Sequence, residues 1–195
     1  MNDINSICVY SASSSQVNEC YLKSAKKLGV LFAKHRIELI YGAGKVGLMG
    51  AMADAVLERG GKVTGIIPSF MIEQHWHHTR LTQLVEVESM HARKQKMAAL
   101  SDGIVALPGG CGTLEELLEI ITWKQLGLYT KPIVIVNANG FYDPLLEMLD
   151  KAIDEKFMRP DHKHLWSVAE QVNQVIDLLR NTPVWNPAIG KFATV

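Results

Sequence analysis

Short apolar runs alternate with helix-like stretches along almost the whole chain, and this alternation restricts the possible fold more than any other feature. The runs consist mainly of Val, Ile, Leu and Tyr, as buried strands do. They lie at 7–10, 37–41, 62–67, 84–88, 103–107, 132–136 and 165–168. Because strands that are apolar on both faces need cover on both sides, the pattern predicts a parallel sheet between two layers of helices.

The stretches between these runs have the spacing of amphipathic helices. Predicted helices include 25–31, 48–56, 90–100, 113–126 and 142–155, and a last helix ends at Arg180. The segment 69–80 is the one long irregular connection, and the tail after Thr182 is expected to wrap around the surface or a partner subunit. With 195 residues, the chain has the length of one domain. We predict a single-domain α/β protein with a Rossmann-like, doubly wound parallel sheet, a core at about 4–181 and a tail at 182–195.

Charge and cysteine content exclude several classes of function. Twenty basic residues balance twenty acidic ones, so no overall field attracts nucleic acid or an anionic membrane. The N-terminus lacks the pattern of a signal peptide, and no apolar stretch approaches the roughly 20 residues of a membrane helix. Cys8, Cys20 and Cys111 are too few and too scattered for a disulfide framework or a zinc site. We expect a cytoplasmic protein.

A glycine-rich segment between a predicted strand and a predicted helix carries the clearest functional signal. It has the sequence Pro-Gly-Gly-Cys-Gly-Thr-Leu-Glu-Glu over 108–116. Such a turn directs free backbone N–H groups and the positive end of the helix dipole at one place, which suits a phosphate group. Glu116, on the first helical turn, is an unusual residue for phosphate binding alone. The combination favours chemistry on a phosphorylated sugar.

A second glycine-rich loop, 42–47, matches the pattern G-x-G-x-x-G of dinucleotide-binding proteins. That fingerprint also needs an acidic residue at the end of the next strand, where this chain has Gly-Ile-Ile-Pro at 65–68. A nicotinamide-linked enzyme is therefore disfavoured, and we interpret the loop as a second wall of a mononucleotide pocket, although tight turning explains part of it. The serines at 11–15 either contact phosphate or ribose, or cap a helix, and both uses are compatible.

The segment Met-His-Ala-Arg-Lys at 90–94 begins a helix after the fourth predicted strand. Arg93 can reach the same cleft, where its permanent charge would bind phosphate or a leaving purine; a basic helix surface is the alternative. His91 stays outside the predicted site. The segment His-Trp-His-His at 75–78 lacks an acid or cysteine at ligand spacing, so a surface loop or subunit contact is favoured over a metal site. A nucleophilic role for Cys111 is not expected, since it stands between two structural glycines.

With these segments placed, the sequence resembles the LOG ("lonely guy") family of cytokinin riboside 5′-monophosphate phosphoribohydrolases. The family signature P-G-G-x-G-T-x-x-E is complete at 108–116, and M-x-x-R-K is matched by Met90, Arg93 and Lys94. The segment 41–50 is similar to the family's Y-G-G-G-x-x-G-L-M-G, with Ala43 replacing one glycine. The resemblance covers about 7–179. It implies hydrolysis of the N-glycosidic bond of an adenosine 5′-monophosphate, an AMP-nucleosidase type of reaction that releases ribose 5-phosphate.

The resemblance also implies roles for individual residues. It assigns catalysis to Arg93 and Glu116, needs no cofactor or metal, and suggests a homodimer with the helices 90–100 and 113–126 as interface elements. The motifs and the resemblance together predict these substrate contacts: Ser13, Ser14, Gly42, Gly44, Gly47, Met90, Lys94, Gly109, Gly110, Cys111, Gly112, Thr113, Leu114, Glu115 and Thr122. His75 stands where the family has a substrate-contacting glutamate, and Ser-Ala-Ser-Ser at 11–14 replaces C-G-S-S. These departures leave the preferred base open.

Glu116 is expected to stabilise an oxocarbenium-like ribose and to orient or deprotonate water, while Arg93 stabilises the departing base or fixes the phosphate. A non-catalytic carrier of a nucleotide or of a molybdopterin-type cofactor would share the architecture and the glycine-rich cradle. The presence of both Arg93 and Glu116 argues against such a carrier. Similar chains are sometimes labelled lysine decarboxylases, but that reaction needs a pyridoxal-phosphate lysine and a partner acid, which the sequence does not show.

Overall fold

Seven strands pair in parallel to form one sheet in the computed structural model, which describes residues 2–186. The strands are β1 (Ser6–Tyr10), β2 (Glu38–Tyr41), β3 (Val63–Pro68), β4 (Gln83–Val87), β5 (Ile104–Ala106), β6 (Ile133–Val136) and β7 (Ser167–Ala169). Their order is β4-β3-β2-β1-β5-β6-β7, so the direction of winding reverses between β1 and β5. The predicted doubly wound sheet is confirmed, and the predicted strand ends differ from the observed ends by one or two residues.

Helices cover both faces of this sheet. They are α1 (Glu19–Lys34), α2 (Gly47–Leu57), α3 (Ser69–Glu73), α4 (Met90–Leu100), α5 (Cys111–Gln125), α6 (Asp143–Asp154) and α7 (Val175–Asn181), with short 3-10 helices at Ala138–Gly140, Pro160–His164 and Val172–Gln174. One apolar cluster lies under α1, α2 and α7, and the other lies under α4, α5 and α6. Along β1, Ile7 and Val9 belong to the first cluster, whereas Cys8 and Tyr10 belong to the second. This alternation is the period of two that a strand buried on both faces must show.

Two expectations about the connecting and edge segments need correction. The segment 69–80 is not wholly irregular, because its first residues form α3 and His77 makes an isolated antiparallel bridge to Gly44. The fourth strand is not apolar and covered on both faces. Gln83, Leu84 and Glu86 are exposed because β4 forms an edge of the sheet.

The start of the C-terminal tail packs against the protein. The Trp185 side chain is buried, and its backbone N–H donates a hydrogen bond to the Thr130 carbonyl at 3.1 Å. Residues 183–186 therefore lie against their own chain. The rest of the predicted tail, including Pro187, lies outside the described residues.

The reversal of winding between β1 and β5 determines where a ligand can enter. The chain leaves the carboxyl ends of these two adjacent strands in opposite directions, which opens a crevice between the loops that follow them. A hydrogen bond of 3.3 Å from the Ala12 backbone N–H to the Pro108 carbonyl joins the two loops at its base. The serine segment and the glycine-rich segment therefore meet at this crevice.

Candidate active site

A cleft of about 370 Å³ opens at the carboxyl ends of β1 and β5, and we call it the reaction cleft. Its walls come from the turn after β1, from α2 and the start of α4, and from the first turns of α5. It is lined by Ser11, Ala12, Ser13, Ser14, Met49, Met90, Arg93, Gly110, Cys111, Gly112, Thr113, Glu115 and Glu116. Most of the residues predicted to contact substrate thus meet in one place.

The N-terminus of α5 forms one end of the reaction cleft. The first backbone hydrogen bond within this helix runs from Leu114 N–H to the Gly110 carbonyl at 3.0 Å, and no side chain caps the helix. The N–H groups of residues 111–113 precede that bond and are available to a ligand. Thr113 packs directly on Gly109, where a Cβ atom would overlap its side chain, whereas the space beside Gly110 and Gly112 is open. This end of the cleft suits an anion such as phosphate.

Glu116 lies one turn further along α5, with its side chain partly buried in the reaction cleft. Burial raises the pKa of Glu116 to about 7 because desolvation disfavours the carboxylate; the charge of Arg93 opposes the rise, and Glu115 adds to it. A carboxyl group with a pKa near neutrality can act as either a proton acceptor or a proton donor at physiological pH.

Arg93 is held in the cleft wall by the backbone of two strand ends. Its side chain is 5% exposed, with Nε donating to the Ile66 carbonyl at 3.1 Å and Nη2 to the Gly42 carbonyl at 2.8 Å. Nη1 contacts the Met90 sulfur at 3.6 Å. Burial lowers the pKa of Arg93, and the nearby Glu116 carboxylate opposes that change. Two of its three nitrogens are fixed by strong acceptors, and Nη1 keeps donor capacity for a ligand.

A second cleft of about 450 Å³ adjoins the first, and we call it the apolar cleft. The two clefts share Ser13, Met49 and Arg93. The remaining walls are Gly42, Gly44, Lys45, Val46, Ile67, Met71 and Trp76. Met71 and Trp76 were not among the predicted site residues. Met71 lies in the segment 69–80, which was predicted to be an irregular connection, and Trp76 lies in 75–78, which was interpreted as a surface loop or subunit contact. The sequence carried no direct signal for either residue, since both lie in the connection 69–80, far along the chain from the glycine-rich loop 42–47.

Hydrogen bonds to backbone carbonyls hold the segment 75–78 against the glycine-rich turn 42–47. The Lys45 amine donates to the His75 carbonyl at 2.5 Å, and the His78 backbone N–H donates to the Ala43 carbonyl at 2.8 Å. The buried His78 ring makes a 3.1 Å hydrogen bond with Asp54 of α2. His75, which stands where the family has a glutamate, is exposed and lines neither cleft.

Several predicted substrate contacts do not lie on the wall of either cleft. The Lys94 amine is bound by Glu115 and Glu119 of α5. The Thr122 hydroxyl donates to the Leu118 carbonyl at 2.8 Å, on the exposed part of the same helix. Gly47 has a φ of 65° and packs against the Ser13 backbone, where any Cβ atom would overlap. The other two are Gly109, which packs on Thr113, and Leu114, which packs on the apolar cluster under α4, α5 and α6.

Two further findings concern the chain as far as residues 2–186 describe it. In this range, no three His, Cys, Asp or Glu side chains lie close enough together to hold a metal ion. No helix in the same range is long and apolar enough to cross a bilayer. The cysteines Cys8, Cys20 and Cys111 are unpaired.

Comparisons with known sequences identify close relatives over most of the chain. The sequence profile of a family described as "Possible lysine decarboxylase" matches residues 49–179. Cytokinin riboside 5′-monophosphate phosphoribohydrolase LOG5 of Arabidopsis thaliana is 42% identical over 186 residues, which is 95% of this chain and 82% of the relative. The probable phosphoribohydrolase LOGL9 of Oryza sativa subsp. japonica is 42% identical over 89% of this chain and 76% of its own length.

Comparisons with solved structures extend the likeness of the fold. The molybdenum cofactor binding protein of Rippkaea orientalis has a TM-score of 0.68 at 23% identity, over 90% of this chain and 95% of that protein. The molybdenum cofactor carrier protein of Chlamydomonas reinhardtii has a TM-score of 0.67 at 23% identity, over the same shares of the two chains. At this level of identity the likeness concerns the fold alone.

Proposed function

This chain belongs to the LOG family, whose named relatives are cytokinin riboside 5′-monophosphate phosphoribohydrolases, and we propose that it hydrolyses the N-glycosidic bond of adenosine 5′-monophosphates that carry an N6 substituent. The products are ribose 5-phosphate and a free adenine-type base. One observation carries the proposal: Glu116, with a pKa of about 7, shares the reaction cleft with a helix N-terminus suited to phosphate and with the fixed guanidinium of Arg93.

In this proposal the 5′-phosphate accepts hydrogen bonds from the N–H groups at 111–113 and from the Thr113 hydroxyl. This contact places the ribose beside Glu116, one helical turn away. As the glycosidic bond breaks, positive charge develops on the ribose ring, and the Glu116 carboxylate stabilises it. The same carboxylate accepts a proton from the attacking water as its oxygen bonds to C1′. The electron pair of the broken bond goes to the purine nitrogen, which takes up one proton, so that the neutral base and ribose 5-phosphate are formed.

Arg93 is assigned to the leaving base. Negative charge develops on the purine as the bond breaks, and the free donor capacity of Nη1 lies on the wall shared by the two clefts. A guanidinium that two backbone carbonyls already hold in position needs no reorganisation when that charge appears. Arg93 therefore stabilises the transition state more than the ground state.

The apolar cleft is assigned to the base and its N6 substituent. Past Arg93 the walls are mainly Met49, Ile67, Met71 and Trp76, so an alkyl or prenyl group on N6 would bury apolar surface there. The indole of Trp76 is 53% exposed, which leaves a face for such a group to contact. This lining favours N6-prenylated AMP over AMP itself.

The test is chromatographic detection of free base after incubation with N6-isopentenyl-AMP and with AMP. Glu116→Gln and Arg93→Ala should lower kcat by at least about a hundredfold, since each removes a group acting in the transition state. Glu147→Gln, an exposed carboxylate on α6, is the matched control and should keep full activity. If neither substrate releases base while nucleotide still binds, a carrier function replaces the enzymatic one.

Substrate preference is tested by Trp76→Ala. Loss of the indole should raise KM for N6-isopentenyl-AMP by about tenfold, as expected for one aromatic contact, and change KM for AMP much less. Phe70→Ala is the control, since Phe70 on the neighbouring helix α3 is also half exposed but lines neither cleft. Equal losses for both substrates in Trp76→Ala would contradict the assignment of this cleft.

We also propose that the protein acts as a homodimer in the cytoplasm. The outer side of α5 and the turn after it expose Leu118, Leu126 and Leu128, and Leu128 is 73% exposed. Exposed leucines grouped in this way are typical of an interface between subunits. The three unpaired cysteines fit the reducing environment of the cytoplasm.

A further inference from the structure

We propose that Lys94 is a positioning residue: it clamps α4 to α5 through Glu115 and Glu119 and thereby sets Arg93 and Glu116 relative to each other. This inference rests on the proposed function, because it concerns the same reaction. It departs from the substrate contact that the family resemblance implies for Lys94. Two groups of observations support it, the geometry of the ion pairs and the electrostatic surroundings of Glu116.

The Lys94 amine is poorly placed to contact a substrate directly. Its side chain is 7% exposed and does not line the reaction cleft. Nζ lies 2.5 Å from Oε1 of Glu115 and 3.1 Å from Oε1 of Glu119, two carboxylates one turn apart on α5. Burial alone would lower the pKa of Lys94, but the hydrogen bonds with the two carboxylates more than offset this and raise it. The amine is therefore charged and already bound by two carboxylates.

The position of the clamp in the sequence links it to the reacting groups. Lys94 directly follows Arg93 on α4, and Glu115 directly precedes Glu116 on α5. A shift of either helix that lengthens the ion pairs must also change the distance between Arg93 and Glu116. The lysine is shielded from water, whereas Glu115 is exposed and Glu119 partly exposed. Two ion pairs that share a shielded lysine resist such a shift more than one fully exposed pair would.

The clamp also shields Glu116 from its acidic neighbours. Glu115 and Glu119 raise the pKa of Glu116, whereas Lys94 and Arg93 lower it. Cys8 and Tyr10 of β1 are also close, but burial raises their pKa values well above the normal range, so both stay neutral in an ordinary assay. Without the lysine charge, two unneutralised carboxylates would face Glu116, and its carboxylate form would require a higher pH.

The experiment measures kcat, KM and the pH profile of Lys94→Met, together with the inhibition constant of ribose 5-phosphate. A positioning role predicts that kcat falls by about ten- to a hundredfold, as small misplacements of reacting groups do. The acid limb of kcat should move to higher pH, and the inhibition constant should stay within about threefold of the wild-type value. Lys94→Arg should recover most of the rate, since it keeps the charge. Lys96→Met, an exposed lysine on the same helix, is the control.

Two outcomes would overturn the inference. If Lys94→Met weakens inhibition by ribose 5-phosphate more than about tenfold while kcat is kept, Lys94 binds substrate directly. The inference predicts that Glu115→Gln moves the acid limb of the kcat profile to lower pH, because Glu115 raises the pKa of Glu116. If this limb stays at the wild-type pH, the neighbouring carboxylates do not act on Glu116. This second variant keeps the test valid even if Lys94→Met does not fold. If the wild-type protein releases no base from either substrate, the proposed function itself is rejected.

Discussion

At the scale of single residues, the placement of Arg93 depends on the absence of a side chain at position 42. The guanidinium donates to the Gly42 carbonyl, and a Cβ atom at that position would overlap it. We expect Gly42→Ala to lower kcat by about a hundredfold, because the guanidinium must move away from the leaving base. Steady-state kinetics would check this.

The neighbouring substitution Ala43→Gly is the control for that experiment. Ala43 is buried and has a φ of 61°, a conformation that glycine adopts without cost. The variant should keep activity and change the free energy of unfolding by less than about 1 kcal/mol, since relief of strain and the added freedom of the unfolded chain oppose each other. A large loss of activity in this variant would show that any disturbance of the loop is harmful, and Gly42→Ala would then say nothing specific about Arg93.

The raised pKa of Glu116 has a consequence for stability. Its pKa is about 7 in the folded protein against an ordinary value of 4.5, so the folded state binds this proton more tightly than the unfolded chain does. The stability that this group contributes is full at low pH and declines as pH rises from 4.5 to 7. Glu116→Gln, which keeps a neutral group there, should therefore raise the unfolding free energy at pH 8 by about 2 kcal/mol. Denaturant titrations at pH 8 and pH 5 would test this, and an equal gain at both values would contradict it.

The site residues that the sequence could predict are those that lie close together along the chain. The cradle at 109–113 and Glu116 occupy one short segment, so their proximity follows from helix geometry alone. The partners of Lys94 on α5 and the place of Trp76 in the same cleft as Met49 depend on how distant segments pack. A single sequence contains no direct record of such contacts.

At the scale of elements, the helices differ in how their first turns are satisfied. The side chain of Asn18 caps α1 and that of Ser89 caps α4, while α5, with Gly110 at its N-cap position, has no side-chain cap; α2, α6 and α7 have none either. Capping normally stabilises a helix by about 1 kcal/mol. The N-terminus of α5 opens into the reaction cleft, so its free N–H groups are available to a phosphate there.

The variant Gly110→Ser tests this interpretation of α5. The backbone of Gly110 is extended and the space beside it is open, so a serine hydroxyl could cap the helix. We expect the unfolding free energy to rise by up to about 1 kcal/mol and the thermal shift caused by inorganic phosphate to shrink. Asn18→Ala, which removes the cap of α1, should lower stability and leave the phosphate shift unchanged. A full phosphate shift in Gly110→Ser would place the anion elsewhere.

Element length explains what the sequence could and could not predict at this scale. The predicted bounds of α4, 90–100, match the observed ones, because this helix is long enough to show its pattern between two strands. The helix α3 was missed, since five residues give too short a pattern to separate a helix from a turn.

At the scale of the whole molecule, the exposed leucines on and after α5 predict self-association. The wild-type protein should behave as a dimer in size-exclusion chromatography with light scattering. Leu128→Asp should shift it toward the monomer, because a carboxylate cannot be buried without a partner. Phe157→Asp is the control, since Phe157 is 84% exposed but lies after α6. A monomeric wild-type protein would contradict the proposed dimer.

The arrangement of two clefts on either side of Arg93 bears on the order in which products leave. The phosphate end of one cleft and the apolar walls of the other are separate compartments that meet only at Ser13, Met49 and Arg93. In the proposed mechanism each fragment would occupy its own cleft once the bond is cut, and neither would block the exit of the other. We therefore expect the two products to leave in random order and a ternary complex of protein, free base and sugar phosphate to form from either side.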